Sequence, residues 1–141
     1  MENLKDQVII VTGGASGIGG AITTVLTQRG ASVIAVDINE EAGQQKVLEN
    51  PTQIVFLNGD VSKESVAIEA VNLALSTFGK LTGLVNNAHA SRQKPLIELT
   101  TEDWSLSFET GFNATLNFMK ASYPELKKSK RSVVNFGSGA A

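Results

Sequence analysis

The sequence contains no cysteine and only one histidine, His89. Disulfides, thiolate metal sites and a histidine-rich metal centre are therefore excluded, and we expect no bound metal. No apolar run approaches the length that spans a membrane, and the first residues, MENLKDQVIIVTGG, lack the pattern of a secretory signal. These absences predict a cytoplasmic protein with no membrane partner, since a chain without cysteine suits a reducing compartment.

Charge is also scarce, and neither sign dominates. Charged residues make up 18% of the 141 residues, and the formal net charge is −2. A chain with this balance has no basic surface to attract nucleic acid or an anionic membrane, so we expect neither as a partner. Hydrophobic residues make up 42%, which is typical of one folded domain with a real core.

Five short apolar segments, rich in β-branched residues, alternate with longer amphipathic stretches. The segments predict buried strands, and they cover residues 8–12, 32–37, 53–57, 81–88 and 132–136. Strands that alternate with helices are typical of βαβ units, which build a parallel sheet with helices on both faces. No linker or repeat interrupts the alternation, so we predict a single α/β domain over residues 1–141.

The helical stretches carry recognisable start and stop signals. Gly30 is expected to end the first helix, and Asn39, followed by two glutamates, is expected to cap the second. Ser62 is expected to cap the third helix and Gly79 to end it. Thr101, followed by Glu and Asp, is expected to open the fourth, long helix.

A glycine-rich stretch, TGGASGIGGA (12–21), follows the first predicted strand and opens the first helix. Gly13, Gly17 and Gly19 at such a turn allow tight bending and close approach of a ligand to the backbone. The free N–H groups and the dipole of the helix start suit a pyrophosphate. The spacing is G-x-x-x-G-x-G, and the alternative interpretation is a plain tight turn.

An acidic residue, Asp37, ends the second predicted strand, 18 residues after Gly19 (37 − 19). An acid near this distance accepts hydrogen bonds from the ribose hydroxyls of a bound dinucleotide. Its charge would repel a 2′-phosphate, and no Arg or Lys lies between Gly13 and Gly19 to bind one. These residues predict NAD as cofactor in preference to NADP. The alternative for Asp37 is a solvated strand end.

Several short motifs now occur together in order at predicted strand ends. They are TGGASGIG (12–19), Asp37, GDV (59–61), NNA (86–88) and VVNFGS (133–138). With them, essentially the whole chain resembles the short-chain dehydrogenase/reductase family. The resemblance implies a Rossmann-like, doubly wound parallel sheet of five strands in the order 3-2-1-4-5, truncated after the fifth strand. It also implies hydride transfer between a nicotinamide and a small-molecule alcohol or carbonyl substrate.

The resemblance also assigns cofactor contacts. Asp60 and Val61 would lie beside the adenine, and the Asp60 carboxylate would accept a hydrogen bond from its amino group. The alternative for Asp60 is an acid that only flanks a helix. Residues 86–88 would close the fourth strand over the cofactor, with Asn87 also tying strands together. The full set of implied cofactor contacts is Gly13, Ser16, Gly17, Ile18, Gly19, Asp37, Ile38, Asp60, Val61, Asn87, Ala88 and His89.

For catalysis, the family uses a Tyr as general acid/base, a Lys that lowers its pKa, and a Ser that orients the substrate oxygen. Ser138 matches the family Ser, with a plain loop serine as the alternative. In the family the Tyr-x-x-x-Lys pair follows this Ser, whereas this sequence ends at Ala141. We therefore expect these residues to be the N-terminal part of a longer enzyme.

A Tyr-x-x-x-Lys pair does occur earlier, in YPELK (123–127). Tyr123 and Lys127 would share one helix face, and Pro124 between them is expected to kink or end the helix. Because the pair precedes Ser138, and the family has this segment away from the nicotinamide, we interpret it as non-catalytic.

Two positions depart from the family pattern. Gly111 stands where the family has an Asn that holds a proton-relaying water, with Asn113 two residues away on a different face. His89 follows NNA, where the family usually has Gly. A side chain there would crowd the nicotinamide ribose or touch the substrate; the alternative is a partly exposed loop residue.

Two functional hypotheses follow. The first is an NAD-dependent oxidoreductase of which this chain alone binds the cofactor without turnover. The second is a complete, non-catalytic dinucleotide-binding or pairing module, which the changes at Gly111 and His89 would fit. A purely structural protein is disfavoured, because the glycines, Asp37 and Asp60 would then coincide by chance. Family members usually pair through the long helix around 101–127, so we expect a homo-oligomer.

Overall fold

The computed structural model describes residues 3–138, and its strands form one parallel sheet. They are β1 (Val8–Thr12), β2 (Ser32–Asp37), β3 (Ile54–Asn58), β4 (Gly83–Asn86) and β5 (Val133–Asn135). Their order across the sheet is β3-β2-β1-β4-β5, which confirms the predicted fold class. The chain moves outward from β1 to β3, then returns to place β4 on the other side of β1. Parallel sheets of this kind bind ligands at that switch point.

Three helices connect the first four strands, and one long helical segment leads to the fifth. The connecting helices are α1 (Gly17–Gln28), α2 (Glu40–Glu49) and α3 (Glu64–Phe78). The long segment consists of α4 (Thr101–Ser107), a π-helical turn (Phe108–Asn113) and α5 (Ala114–Ser129). The sequence predicted one continuous helix there and gave no sign of the π-helical turn. No helix within residues 3–138 is both long and apolar enough to cross a membrane.

The helix ends test the predicted signals. The Asn39 side chain accepts a hydrogen bond from the Ala42 N–H at 3.0 Å, and Gly79 ends α3 with φ of 76°, both as predicted. The prediction that Ser62 caps α3 is wrong, because Lys63 holds the N-cap position. The Ser62 N–H instead donates to the Asp60 carboxylate at 2.9 Å, so Ser62 belongs to the turn before the helix.

Pro124 was predicted to kink or end its helix, and the second of these is wrong, because α5 continues through it to Ser129. Proline removes one backbone hydrogen bond, but packing of an apolar face supplies most of a helix's stability in a protein. Phe118, Ser122 and Leu126 are buried on α5, on both sides of the proline. This packing holds the helical backbone across the position of the missing donor.

The start of α4 is held by a capping box. The Thr100 hydroxyl accepts the Asp103 N–H at 3.3 Å, and the Asp103 carboxylate accepts the Thr100 N–H at 3.0 Å. Lys94 adds an ion pair to Asp103 with a nitrogen–oxygen distance of 2.7 Å. The Lys94 ammonium and the Thr100 N–H hold the pKa of Asp103 below its usual value. The capping box fixes where this helix begins.

The core lies on both faces of the sheet. On one face α3 and α5 cover a cluster in which Ile10, Ile34 and Phe118 are fully buried. On the other face α1 and α2 cover residues that include Val11 and Val33. Each such aliphatic side chain contributes about 1.5–3 kcal/mol when fully buried. The two layers fix the central strands, so the residues at their carboxyl ends have defined positions.

Candidate functional site

A cavity of about 710 Å³ lies at the carboxyl ends of the strands. Its walls come from the segments that follow β1, β2, β3 and β4, and from the helix that starts at Thr101. The lining residues are Gly13, Ser16, Asp37, Ile38, Gly59, Asp60, Val61, Ser62, Asn87, Ala88, His89, Ala90, Thr101, Glu102, Ser105, Leu106, Glu109 and Thr110. The cavity therefore occupies the switch point of the sheet, and most of the residues predicted from the sequence line it.

The glycine-rich turn forms the floor between β1 and α1. Gly13 and Gly17 have φ of 64° and 55°, a backbone region that favours glycine. A Cβ atom at Gly19 would collide with the Gly13 carbonyl oxygen and with the Asn87 side-chain amide. Gly19 thus allows close packing of α1 on the turn rather than lining the cavity, and Gly17 and Ile18 also lie at the helix start outside the lining.

The start of α1 carries unpaired helix donors towards this turn. Ser16 holds the N-cap position, and among residues 3–138 no side chain caps the helix there, nor does its first turn contain an acid. The first N–H groups of a helix and its dipole together favour a negatively charged group. This donor set fits the pyrophosphate of a dinucleotide.

Asp37 is held against the same turn. One carboxylate oxygen accepts the Ala15 N–H at 3.2 Å, and the other accepts the Asn39 N–H at 3.0 Å. A carboxylate has about four lone-pair positions, so acceptor capacity is left for a ligand. The acid therefore sits at the β2 end of the cavity in a fixed orientation, suited to a pair of hydroxyl donors.

Asp60 lies next along the wall, after β3. Its carboxylate accepts the Ser62 N–H at 2.9 Å, and this hydrogen bond lowers the pKa of Asp60 below its usual value. The adjoining Val61 is buried and presents an apolar surface to the same cavity. A charged acceptor beside an apolar side chain suits a flat heterocycle with an exocyclic amino group.

The ends of β1 and β4 are joined through Thr12, a residue that the sequence analysis missed. Its hydroxyl accepts the backbone N–H groups of Asn87 and Ala88, both at 3.0 Å. The Asn87 side chain donates to the Thr12 carbonyl at 3.0 Å, which agrees with the strand-tying role that the resemblance implied. The sequence could have indicated Thr12, because it is a residue with a hydroxyl group at the last position of a buried central strand.

The far wall of the cavity is one face of α4 and the π-helical turn, and the sequence analysis missed it too. Thr101, Ser105 and Glu109 recur every four residues, which places them on one side of the helix. Thr110 ties this wall to the segment after β4, because its hydroxyl accepts the Ala90 N–H at 2.9 Å and donates to Leu106. The helical spacing of small and polar residues was the available signal.

The two departures from the family pattern are neighbours in space. His89 lines the cavity just after β4, and Gly111 lies in the π-helical turn. A Cβ atom added at Gly111 would stand 3.0 Å from Cδ2 of the His89 ring. The imidazole therefore occupies the space that a side chain at position 111 would need.

The predicted catalytic serine and the Tyr–Lys pair lie elsewhere. Ser138 follows β5, is exposed, and is not among the described residues that line the cavity. Tyr123 is 61% exposed on α5, with the Lys127 ammonium 5.9 Å from its ring centroid, so the two share a helix face as predicted. Neither lines the cavity.

The fold and the cavity place the chain in the class of doubly wound α/β proteins with a ligand crevice at the switch point. A family model described as short chain dehydrogenase matches residues 7–141. The chain therefore belongs to the short-chain dehydrogenase family.

Individual relatives agree with this assignment. Cyclopentanol dehydrogenase of Comamonas sp. is 35% identical over 142 residues, which are 98% of this chain and 57% of that protein. The 2,5-dichloro-2,5-cyclohexadiene-1,4-diol dehydrogenase of Sphingobium indicum is 34% identical, over 99% of this chain and 57% of that protein. L-fucose dehydrogenase of Mus musculus is 34% identical, over 94% of this chain and 48% of that protein.

A solved structure is similar along nearly the whole chain. It is the short-chain dehydrogenase/reductase SDR:Glucose/ribitol dehydrogenase from Brucella melitensis, with a TM-score of 0.93 and 26% identity. The match covers 98% of this chain and 59% of that one. The chain thus spans between about half and three-fifths of the length of these proteins.

Proposed function

We propose that the protein is an NAD-dependent oxidoreductase that transfers a hydride between the nicotinamide and the carbonyl or alcohol carbon of a small-molecule substrate. The observation that carries the proposal is Asp37, fixed at the β2 end of the cavity by the Ala15 and Asn39 N–H groups. A carboxylate held there, beside an uncapped helix start, suits an adenosine ribose followed by a pyrophosphate.

The described residues divide the binding task along the cavity. In the proposal, the N–H groups at the start of α1 bind the pyrophosphate, and Asp37 accepts the ribose hydroxyls. Asp60 and Val61 bind the adenine, with Ile38 beside it. The negative charge of Asp37 disfavours the 2′-phosphate of NADP, because two like charges 4 Å apart repel by about 1 kcal/mol even in water.

The bound cofactor would supply the hydride chemistry, and the chain would orient the substrate. We assign to Ser138 the orientation of the substrate oxygen by hydrogen bonding. We assign the general acid/base to a Tyr outside these 141 residues, since Tyr123 is exposed on α5 and does not line the cavity. The segment alone would then bind NAD without turnover.

The substrate class is suggested by two relatives. Their names refer to cyclopentanol and to a cyclohexadiene diol, and over the aligned residues they are 35% and 34% identical to this chain. A cyclic secondary alcohol, or the corresponding ketone, is therefore the first class to test. The alternative function, a non-catalytic dinucleotide-binding module, rests on the replacement of the family residues at His89 and Gly111.

Self-association belongs to the proposal as well. Five large side chains on α4, the π-helical turn and α5 are exposed by between 47% and 66%, and they recur at about helical spacing. They are Trp104, Phe108, Phe112, Leu116 and Tyr123. A second copy of the chain would cover this apolar face, which gives a homo-oligomer. We place the protein in the cytoplasm, as the absence of cysteine suggests.

The experiment that tests the proposal uses the full-length protein and the 1–141 segment side by side. NAD and NADP binding is measured by calorimetry, and hydride transfer by the absorbance of NADH with a panel of cyclic alcohols. We expect NAD binding by both proteins and turnover by the full-length protein alone. Binding without turnover in the full-length protein, across the whole panel, would favour the non-catalytic module.

A further inference from the structure

The contact between His89 and Gly111 joins two segments that are far apart in the sequence. Position 111 lies in the middle of the π-helical turn, where the Ala114 N–H reaches back to the Glu109 carbonyl, five residues earlier. Turns of this kind occur often at functional sites. Glycine inside a helix costs roughly 1 kcal/mol relative to alanine, so the empty space at Gly111 needs a reason.

That space is filled by the ring of His89. The nearest atoms to a Cβ built at Gly111 are His89 Cδ2 at 3.0 Å and Nε2 at 3.6 Å, and apart from the chain neighbours and the backbone of the same helix no other described atom lies within 4 Å. A contact of 3.0 Å is tighter than most real Cβ contacts, so the ring would have to move by a few tenths of an ångström to admit a methyl group. A longer side chain, such as that of leucine, would therefore displace the imidazole further.

The backbone on both sides of His89 is fixed. The Ala88 N–H donates to the Thr12 hydroxyl at 3.0 Å, which ties the segment to β1. The Ala90 N–H donates to the Thr110 hydroxyl at 2.9 Å, and that hydroxyl donates to the Leu106 carbonyl at 2.7 Å. Thr110 adjoins Gly111, so one short span of the helix both anchors the loop and receives the ring.

The position of His89 in the cavity indicates which part of a bound dinucleotide it would contact. Asp37 ends β2 and Asp60 follows β3, on one side of β1, whereas His89 follows β4 on the other side. A dinucleotide whose adenosine lies at Asp37 and whose pyrophosphate lies at the start of α1 extends its second nucleoside across β1 towards β4. His89 is the largest side chain among the lining residues that directly follow β4.

We propose that Gly111 and His89 act as one unit, in which Gly111 provides the space for the imidazole and the seated ring forms the contact surface for the second nucleoside. This inference rests on the proposed function, since it requires a dinucleotide in the cavity. It makes His89 a binding residue for the nicotinamide half of the cofactor and Gly111 a positioning residue that acts through it.

The test measures binding of NAD and of AMP to the full-length protein by calorimetry, for the wild type and the His89→Ala, Gly111→Leu and doubly substituted variants. AMP carries the adenosine half alone. Loss of one contact of this size is worth about a fivefold change in affinity. We expect His89→Ala and Gly111→Leu each to lower the NAD affinity about fivefold, with the AMP affinity unchanged. The double variant is expected to lose no more than either single variant.

Asn113→Leu is the matched control, because it places the same side chain in the same turn at a partly exposed position outside the cavity. It is expected to bind NAD as the wild type does. Unchanged AMP affinity also shows that each variant is folded. If Gly111→Leu does not fold, His89→Ala, a change at an exposed residue, tests the ligand contact by itself.

The outcomes separate this inference from the proposed function. A wild-type protein that binds neither NAD nor AMP overturns the proposed function, and the inference with it. A wild-type protein that binds both ligands, with a His89→Ala variant that leaves the NAD affinity unchanged or lowers both affinities equally, overturns the inference alone. Fully additive losses in the double variant overturn the claim that Gly111 acts through His89.

Discussion

Replacement of Asp37 by Asn should change the cofactor preference of the full-length protein, because it removes a charge and keeps the shape of the side chain. Asp37 accepts two backbone N–H groups, from Ala15 and Asn39, and retains acceptor capacity for a ligand. Asparagine keeps one acceptor oxygen, so one of these two backbone N–H groups loses its partner, and the stability of the glycine-rich turn is measured separately. The change in the ratio of NAD affinity to NADP affinity then reports the effect of the carboxylate charge, because a loosened turn weakens the binding of both cofactors.

The expected magnitudes follow from the hydrogen bonds and from Coulomb's law. A hydrogen bond to a charged group contributes about 1.5–3 kcal/mol, and one to a neutral group about 0.5–1.5 kcal/mol. The variant should therefore lose about 1 kcal/mol of NAD binding, or about fivefold in affinity. For NADP, relief of the repulsion between like charges should gain at least about 1 kcal/mol, again about fivefold. The NAD-to-NADP preference should fall by about 25-fold.

The assay is calorimetric titration of both cofactors into wild type, Asp37→Asn and Asp6→Asn. The last is a matched change in an exposed turn outside the cavity, and its cofactor preference should equal that of the wild type. A thermal melt of each variant checks that the fold is retained. An unchanged NAD-to-NADP ratio in Asp37→Asn would refute the assignment of Asp37 to the adenosine ribose.

Three further predictions concern the turn, the strand ends and the start of α4. Gly19→Ala should abolish cofactor binding and lower the melting temperature, because its Cβ collides with the Gly13 carbonyl. Gly137→Ala should change neither, because beyond its chain neighbours its Cβ would meet no atom within 4 Å among residues 3–138. Thr12→Val leaves two backbone N–H groups unpaired and should destabilise the fold by about 2 kcal/mol in denaturant unfolding. Thr77→Val, at an exposed position of α3, should leave the stability unchanged. Folding lowers the pKa of Asp103, so the wild type loses the stabilisation from this carboxylate when the pH falls below about 4. Asp103→Asn lacks the carboxylate, so its free energy of unfolding should fall less steeply over that pH range. Parallel profiles of stability against pH for the wild type and Asp103→Asn would contradict this prediction.

The fold was predictable because the apolar runs that indicate strands and the residues that indicate helix ends agree along most of the sequence. Buried β-branched runs set the strands, and Gly79, in the left-handed conformation that is common at helix ends, ends α3 as its place in the sequence indicated. The errors arose where packing or turn hydrogen bonds outweigh local preference. Leu126 and Phe118 hold α5 together across Pro124, and the Asp60 carboxylate takes the Ser62 N–H into a turn. Neither contact can be read from local sequence.

The sequence predicted the part of the cavity that is formed by short motifs at the strand ends. Gly13, Asp37 and Asp60 each lie at or just after the carboxyl end of a strand, so chain order places them at one edge of the sheet. The far wall was missed because Ser105 and Glu109 carry no motif and reach the cavity only through the packing of α4. The contact of His89 with Gly111 joins segments 22 residues apart (111 − 89) through a π-helical turn, which no periodicity indicated.

The central claim is that NAD binds in the cavity at the carboxyl ends of the strands. The most direct measurement is a crystal structure of the full-length protein with NAD. We predict that the adenosine ribose hydroxyls lie within hydrogen-bond distance of Asp37, with the pyrophosphate at the start of α1 and the second nucleoside against His89. NAD bound elsewhere, or with its adenosine on the β4 side of the cavity, would contradict it.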